Sequence, residues 1–167
     1  MLPADLAANH ALALRIHDRI DTLSAAVTRI EQDRKQLTDW VEWTKQQPYA
    51  TRVKGAADSL KAKLEAVRDK LTEPHAHADE ATLHWPIQIY NQLLSLNAMV
   101  QSADAAPTRQ EQQASDELSR RLDEQLAKLK EIEGTDVAAF NELLRTLNVP
   151  AVGAGAGSAA GQATEKR

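Results

Sequence analysis

The residues best suited to chemistry in this sequence are its histidines, because the chain contains no cysteine. Three of them, His75, His77 and His84, lie close together, and the spacing of the first two occurs in zinc and copper sites. The segment offers no evident partner to orient an imidazole, so we favour a solvated polar loop over a metal site. The sequence therefore predicts no metal and no cofactor, with these three histidines as the candidates for a metal-binding alternative.

The remaining polar residues do not assemble a recognisable catalytic group. His10 and His17 share one face of a predicted helix, but they are farther apart than the three or four residues that bring helical side chains together. Most carboxylates fall on predicted outer faces beside lysine or arginine, and the sequence contains no nucleophile-elbow, phosphate-loop or dinucleotide-binding glycine pattern. We predict that the chain is not an enzyme, and no small-molecule substrate is inferred.

Charge and hydropathy exclude further classes of partner. Acidic residues number 24 against 20 basic ones, and the basic residues of the second predicted helix alternate with acids, so no nucleic acid is expected. The run 81–103 carries no formal charge, but it holds several amides, and we interpret it as a buried central helix rather than a membrane span. The first residues lack the basic segment of a signal peptide.

The elements that position these residues are amphipathic helices. Apolar residues recur in alternating steps of four and three from Ile16 to Val41, with one polar break at Arg34, and predict a helix over Ala4–Lys45 that ends before Pro48. The same pattern from Val53 to Leu71 predicts a second helix, and the two form a hairpin. The chain is therefore predicted to be all-α, an antiparallel up-down bundle of four main helices with a long first helix.

The second half predicts two more main helices and a short last one. The third opens near Pro86 and is apolar on two faces, which is typical of a helix with neighbours on both sides. The fourth begins with a capping box at Thr108 and Glu111, and its outer face carries acid-first pairs such as Asp116–Arg120 and Glu117–Arg121. Gly134 and Asp136 mark either a bend or a break before a short C-terminal helix. We predict that residues 1–150 form the bundle and that 151–167, rich in glycine and alanine, form a disordered tail.

The first helix is nearly twice as long as the second, so its first turns need another apolar surface to cover them. The last helix, a second copy or another domain could supply that cover, and we favour a partner. The partner-binding candidates are the leucines of this overhang and the tryptophans at the helix ends, which are typical interface anchors: Leu6, Leu12, Trp40, Trp43 and Trp85.

A resemblance extends from about Trp85 to Val152. The runs IYNQLLSLNAMVQSADAAPT, ELSRRLDEQLAKL and DVAAFNELLRTLNVPAV resemble the C-terminal helical region of bacterial BNR/Asp-box, sortilin-like (VPS10-like) β-propeller proteins labelled glycosyl hydrolase or sialidase-like. The earlier segment KAKLEAVRDKLTEP is compatible with it. The resemblance implies a helical appendage of an exported protein. No Asp-box is present, so no catalytic residue is carried over, because any glycosidase chemistry would lie in the propeller.

Together these observations predict a non-enzymatic structural or interaction domain that packs against a β-propeller domain of a larger protein. A free-standing homodimeric coiled-coil adaptor and a metal-binding bundle are the alternatives. The compartment is undetermined by the residues themselves, and an exported, periplasmic or cell-surface location follows only if the resemblance holds.

Overall fold

The computed structural model describes residues 3–73, 87–103 and 105–149 and is all-α, as the sequence predicts. The first helix matches its predicted bounds to within one residue at each end. The third helix begins at Ile89 rather than at Pro86, which lies outside the described residues together with the tail 151–167. The helices are α1 (Pro3–Thr44), α2 (Ala50–Leu71), α3 (Ile89–Ser102), α4 (Arg109–Ile132) and α5 (Ala138–Thr146).

The stripes of α1 and α2 meet as the predicted hairpin. Ile30 of α1 and Val53 and Leu64 of α2 are fully buried in the core. Arg34, the polar break in the α1 stripe, forms an ion pair with Glu65 of α2, so its charge is neutralised across the hairpin. α1 ends at Thr44, whose hydroxyl donates to the Trp40 carbonyl at 2.8 Å.

The bundle consists of three columns: α1 alone, then α2 and α3 in line, then α4 and α5 in line. The register of the contacts fixes this arrangement. Asn9 of α1 bonds to Val100 near the end of α3, so α3 runs antiparallel to α1, as α2 does. Arg19 donates to the Ser119 carbonyl near the start of α4 at 3.0 Å, so α4 runs parallel to α1. α3 therefore continues the direction of α2, whereas the sequence predicts that direction alternates at every helix of the bundle.

Part of the N-terminal half of α1 is covered within the chain, while Leu6 and Leu14 stay about half exposed. α2 has 22 residues and pairs with the C-terminal half of α1, while the 14 residues of α3 and the start of α4 cover the N-terminal half. Leu12 and Ile16 are consequently buried, with 5% and 0% of their surface exposed. Helix α3 thus fills much of the space left by the short α2, and the expectation that a partner covers the overhang stays a prediction for the exposed Leu6 and Leu14.

α3 has neighbours on one side only, which differs from the predicted central position. Its stripe of Ile89, Leu93, Leu96 and Val100 is buried against α1 and α4. The second stripe consists of Ile87, Tyr90 and Leu94. Tyr90 packs against the core, and the other two residues face solvent, because a helix at the corner of a three-column bundle meets its two neighbours on one face. Ile87 and Leu94 of this stripe are 50% and 40% exposed.

The third column is continuous from α4 to α5. α4 opens with the predicted capping box, in which the Glu111 amide donates to Thr108 Oγ1 at 3.2 Å and the Thr108 amide donates to Glu111 Oε2 at 2.7 Å. At its other end, the residues Glu133–Val137 form one π-helical turn that leads directly into α5. The sequence left a bend and a break open at Gly134, and the structure shows a continuous helix with a widened turn.

The outer-face ion pairs differ from the predicted ones. Arg120 pairs with Glu117, at 2.6 Å, and with Glu124 rather than with Asp116. Asp116 instead lies 3.4 Å from Arg15 of α1. Arg121, predicted to pair with Glu117, donates to Gln92 of α3 at 2.8 Å. Neighbouring columns supply the partners of Asp116 and Arg121, which spacing within α4 could not reveal, whereas both partners of Arg120 lie on α4 itself.

Ser115 in α4 provides a first prediction. Its side chain is buried, and its hydroxyl has no hydrogen-bond partner among the described residues. Ser115→Ala removes an unsatisfied polar atom from the core, so we expect the free energy of unfolding to rise by about 1 kcal/mol. Calorimetry measures the gain, and Ser59→Ala at an exposed position of α2 reports the part due to helix propensity. An equal rise in both variants would contradict the role given to burial.

Candidate interaction surface

The residues predicted to bind a partner do not form one surface. Leu6 and Trp43 are 52% and 54% exposed, but they stand at opposite ends of α1, about 55 Å apart at 1.5 Å per residue. Leu12 is a core residue and is removed from the candidates, because α3 and α4 cover it. Trp85 lies outside the described residues.

The tryptophans of α1 lie near its C-terminal end. The Trp40 and Trp43 rings meet edge to face, with centroids 5.2 Å apart and planes at 83°. Trp40 is half-buried and packs against the core, while Trp43 lies on its solvent side. The pair extends the core at this end and leaves one exposed indole.

A larger uncharged surface lies on α3. We use the name α3 outer face for Ile87, which lies two residues before the helix begins, together with the exposed residues of α3: Leu94, Ser95, Ala98, Met99, Gln101 and Ser102. Met99 is 56% exposed, and no residue from Ile87 to Ala103 carries a formal charge. The apolar side chains of this face therefore meet solvent without the lysines and acids that usually surround exposed leucines.

The outer faces of α2 and α4 are different in kind. α2 carries Lys54 paired with Asp58, and α4 carries Arg120 paired with Glu117, all on exposed side chains. Mixed charges of this type keep a helix solvated and discourage association. The absence of charge therefore distinguishes the α3 outer face from the outer faces of α2 and α4. In the sequence this face lies within the uncharged run 81–103, for which we predict a buried central helix.

Leu6 adjoins the α3 outer face. An open groove of about 670 Å³ lies between the start of α1 and the end of α3. Leu6 and His10 line it from α1, and Gln101 and Ala103 line it from α3. The uncharged surface therefore continues across the groove, and among the predicted candidates that the structure describes, Leu6 is the one that belongs to it.

Asn9 fixes the geometry of this groove. Its side-chain nitrogen lies 3.0 Å from each of the carbonyls of Val100, Ala103 and Ala105. The last carbonyls of a helix have no partner within the helix, and the last turn of α3 contains no basic residue. Asn9 supplies the missing donor from another column, so the end of α3 is held against α1.

The histidine candidates are not brought together by the described part of the chain. His75, His77 and His84 lie outside the described residues, so a metal site there stays a prediction. His10 is exposed at the groove, and His17 is 3.7 Å from Asp21 on solvated surface. Among residues 3–73, 87–103 and 105–149, no group of three potential metal ligands occurs. Within the same ranges, no helix is both long and apolar enough to cross a membrane.

One carboxyl of α1 differs electrostatically from the others. Burial raises the pKa of Asp33, and the nearby positive charge of Arg29 opposes that rise. A carboxyl whose pKa is higher in the folded state than in the unfolded chain destabilises the fold while it is ionised, and this cost disappears as the pH falls through the folded-state pKa. Asp33 therefore weakens the fold at neutral pH.

Asp33→Asn is accordingly expected to stabilise the protein at pH 7, by less than about 1 kcal/mol because solvent partly screens the site. The gain should shrink as the pH falls and vanish below about 3, where both side chains are neutral. Urea unfolding at a series of pH values measures the difference. Asp39→Asn is the control, because Asp39 lies 2.8 Å from Lys35 and should gain nothing when neutralised. A pH-independent gain at Asp33 would contradict the electrostatic explanation.

Comparisons with known proteins give this chain no relative. No protein-family model, no curated protein and no solved structure matches it. The resemblance to the helical region of β-propeller proteins consequently stays a prediction, and the functional argument rests on the surface described above.

Proposed function

We propose that this chain is a non-enzymatic interaction domain that binds another protein surface through the α3 outer face and Leu6. The observation that carries the proposal is the absence of formal charge from a half-exposed apolar helix face in an otherwise charged bundle. Surfaces of this kind mark interaction sites in soluble proteins.

The energetics favour an apolar partner. Leu94, Met99 and Ile87 each retain 40–56% of their surface in water. Complete burial of such a side chain contributes about 1.5–3 kcal/mol relative to exposure, so covering the remaining halves releases part of that amount at each residue. No charge has to be desolvated on this side of the interface, and the neighbouring serines and glutamine can form hydrogen bonds at its rim.

The size of the face indicates which partner it suits. α3 has 14 residues, so its face measures about 21 Å by 10 Å, well below the ~800 Å² that each partner contributes to a standard interface. A domain joined in the same polypeptide needs less area, because the linker raises its effective concentration to the millimolar range. We therefore assign the face to a neighbouring domain, and the resemblance makes a β-propeller of an exported protein the expected one.

A second copy of the chain is the alternative partner, supported by the same lack of charge. The chain carries a formal net charge of −4, so most of its faces would repel their own copies. In a two-fold dimer, the α3 outer face would contact the same face of a second copy, and this contact would bring no like charges together. The small footprint predicts that such a dimer would be weak.

Light scattering across a wide dilution series separates the two partners. We expect a monomer at every concentration, together with slowed hydrogen exchange of α3 when the chain is measured within its native polypeptide. A concentration-dependent dimer that Leu94→Lys disrupts would replace the neighbouring domain with a second copy. Trp43→Lys is the matched control, since Trp43 is 54% exposed at the opposite end of α1 from Leu6. A monomer whose α3 exchanges equally fast in both settings would overturn the proposal.

A further inference from the structure

A small cavity lies between α1 and α5, at the opposite end of the bundle from the α3 groove. Both helices pack on α2, and the space left between them is about 40 Å³. Its wall includes the carboxyl-bearing Asp33, the aromatic side chains of Trp40 and Phe140, and the amides of Gln36 and Asn141. By this measure one water needs roughly 10–15 Å³, so the cavity accommodates about three water-sized groups.

The carboxylate in this wall lacks a partner of its own. Asp33 is half-buried, and it forms no hydrogen bond and no ion pair with the residues that the structure describes. Arg29 lies one helical turn earlier and is the basic residue whose charge acts on Asp33. It forms an ion pair with Glu133, with Nε and Oε1 2.6 Å apart. Most half-buried acids in proteins are paired, so this negative charge is available to a ligand.

We propose that the cavity binds a primary ammonium group, with the Asp33 carboxylate as its counter-ion. The ammonium donates to the carboxylate and to the amide oxygens of Gln36 and Asn141. Trp40 and Phe140 enclose its carbon stem, and their π electrons attract the positive charge. The site is independent of the α3 outer face.

The composition of the wall excludes other ligand classes. Calcium and magnesium require about six oxygen ligands, and one carboxylate with two amides falls short of that number. A phosphate or carboxylate ligand would be repelled by Asp33. A quaternary ammonium suits the charge but is too large, because tetramethylammonium has five heavy atoms where ethylammonium has three.

The test follows the indole N–H signal of Trp40 by nuclear magnetic resonance while ethylammonium is added to the complete chain. We expect a saturable shift of Trp40 with a dissociation constant in the millimolar range, since three heavy atoms supply little binding energy. Trp43, which does not line the cavity, should shift much less. Ethanol, a neutral ligand of the same size, and tetramethylammonium should leave Trp40 unshifted.

Variants connect the signal to the carboxylate. Asp33→Asn should weaken ethylammonium binding at least tenfold, while Asp39→Asn, which changes the net charge equally on the same helix, should leave it unchanged. A Trp40 shift that ethanol reproduces, that survives Asp33→Asn, or that never saturates would overturn the proposal. A second titration with a lysine blocked at both ends identifies the source: tighter binding than ethylammonium indicates a lysine side chain of another protein, and equal or weaker binding indicates a free amine.

Discussion

Leu64→Asp is expected to unfold the protein. Leu64 has no exposed surface and lies at the centre of the contact between α2 and α1. Truncation of a buried leucine costs about 2–5 kcal/mol, and the new carboxylate would also be buried without a partner. The sum approaches or exceeds the 5–15 kcal/mol that stabilises a typical domain. Far-ultraviolet circular dichroism should show loss of most of the helical signal at room temperature.

The matched control for Leu64→Asp lies two residues away. Ala62 is exposed on the opposite side of α2, so Ala62→Asp introduces the same charge into the same helix without burying it. It should change the free energy of unfolding by less than about 0.5 kcal/mol. A folded Leu64→Asp variant with a cooperative thermal transition would show that the hairpin is not the principal support of the bundle.

Asn9→Asp is the second variant with a large expected effect, because it turns a donor into an acceptor. Three carbonyl oxygens lie 3.0 Å from the Asn9 nitrogen. An ionised carboxylate has no hydrogen-bond donor, so at this position it would be repelled by all three carbonyls. We expect a loss of about 3–5 kcal/mol at neutral pH, the cost of leaving a buried charge uncompensated. Urea unfolding followed by fluorescence measures the loss.

Two comparisons make the Asn9 result specific. Asn9→Leu removes the hydrogen bonds without adding a charge, so it should cost about 1–3 kcal/mol. The Asp variant should recover stability as the pH falls, since a protonated carboxyl can again donate to a carbonyl and its folded-state pKa must be raised. Equal losses for Asp and Leu at all pH values would mean that Asn9 acts by its shape alone.

The sequence predicted the helices and the hairpin well because both depend on local periodicity. The steps of four and three from Ile16 to Val41 give one apolar stripe on α1. Every position of that stripe, including Arg34, is buried or half-buried. The capping box at Thr108 was equally local, since its two partners are three residues apart. Features of this kind are determined within one or two helical turns.

The order of the columns was not predictable in the same way. An apolar stripe shows that a helix is covered, but it does not show which segment covers it. The overhang of α1 therefore suggested a partner, whereas α3 continues in line with α2 and fills the space. Asn9 was missed for the same reason, because nothing near it in sequence indicates three carbonyls more than ninety residues away.

The candidate surface was found only in part. The uncharged run around α3 was visible, but its meaning depended on whether α3 had neighbours on both sides or on one. Leu6 was selected as an exposed leucine, and only the structure shows that it adjoins Gln101 and Ala103 across the groove. The cavity at Asp33 had no sequence signal, because its wall comes from three helices.

The three columns also bear on the order in which the chain assembles. Arg34 and Glu65 of the hairpin are 31 residues apart in sequence, whereas Asn9 and Val100 are 91 apart. Closing a short loop costs less chain entropy than closing a long one. We expect the C-terminal half of α1 to pair with α2 first. The N-terminal half of α1 then stays exposed until α3 and α4 pack against it. Helix α3 is thus among the last elements to pack. During synthesis, both its apolar inner stripe and the α3 outer face are therefore accessible to a neighbouring domain.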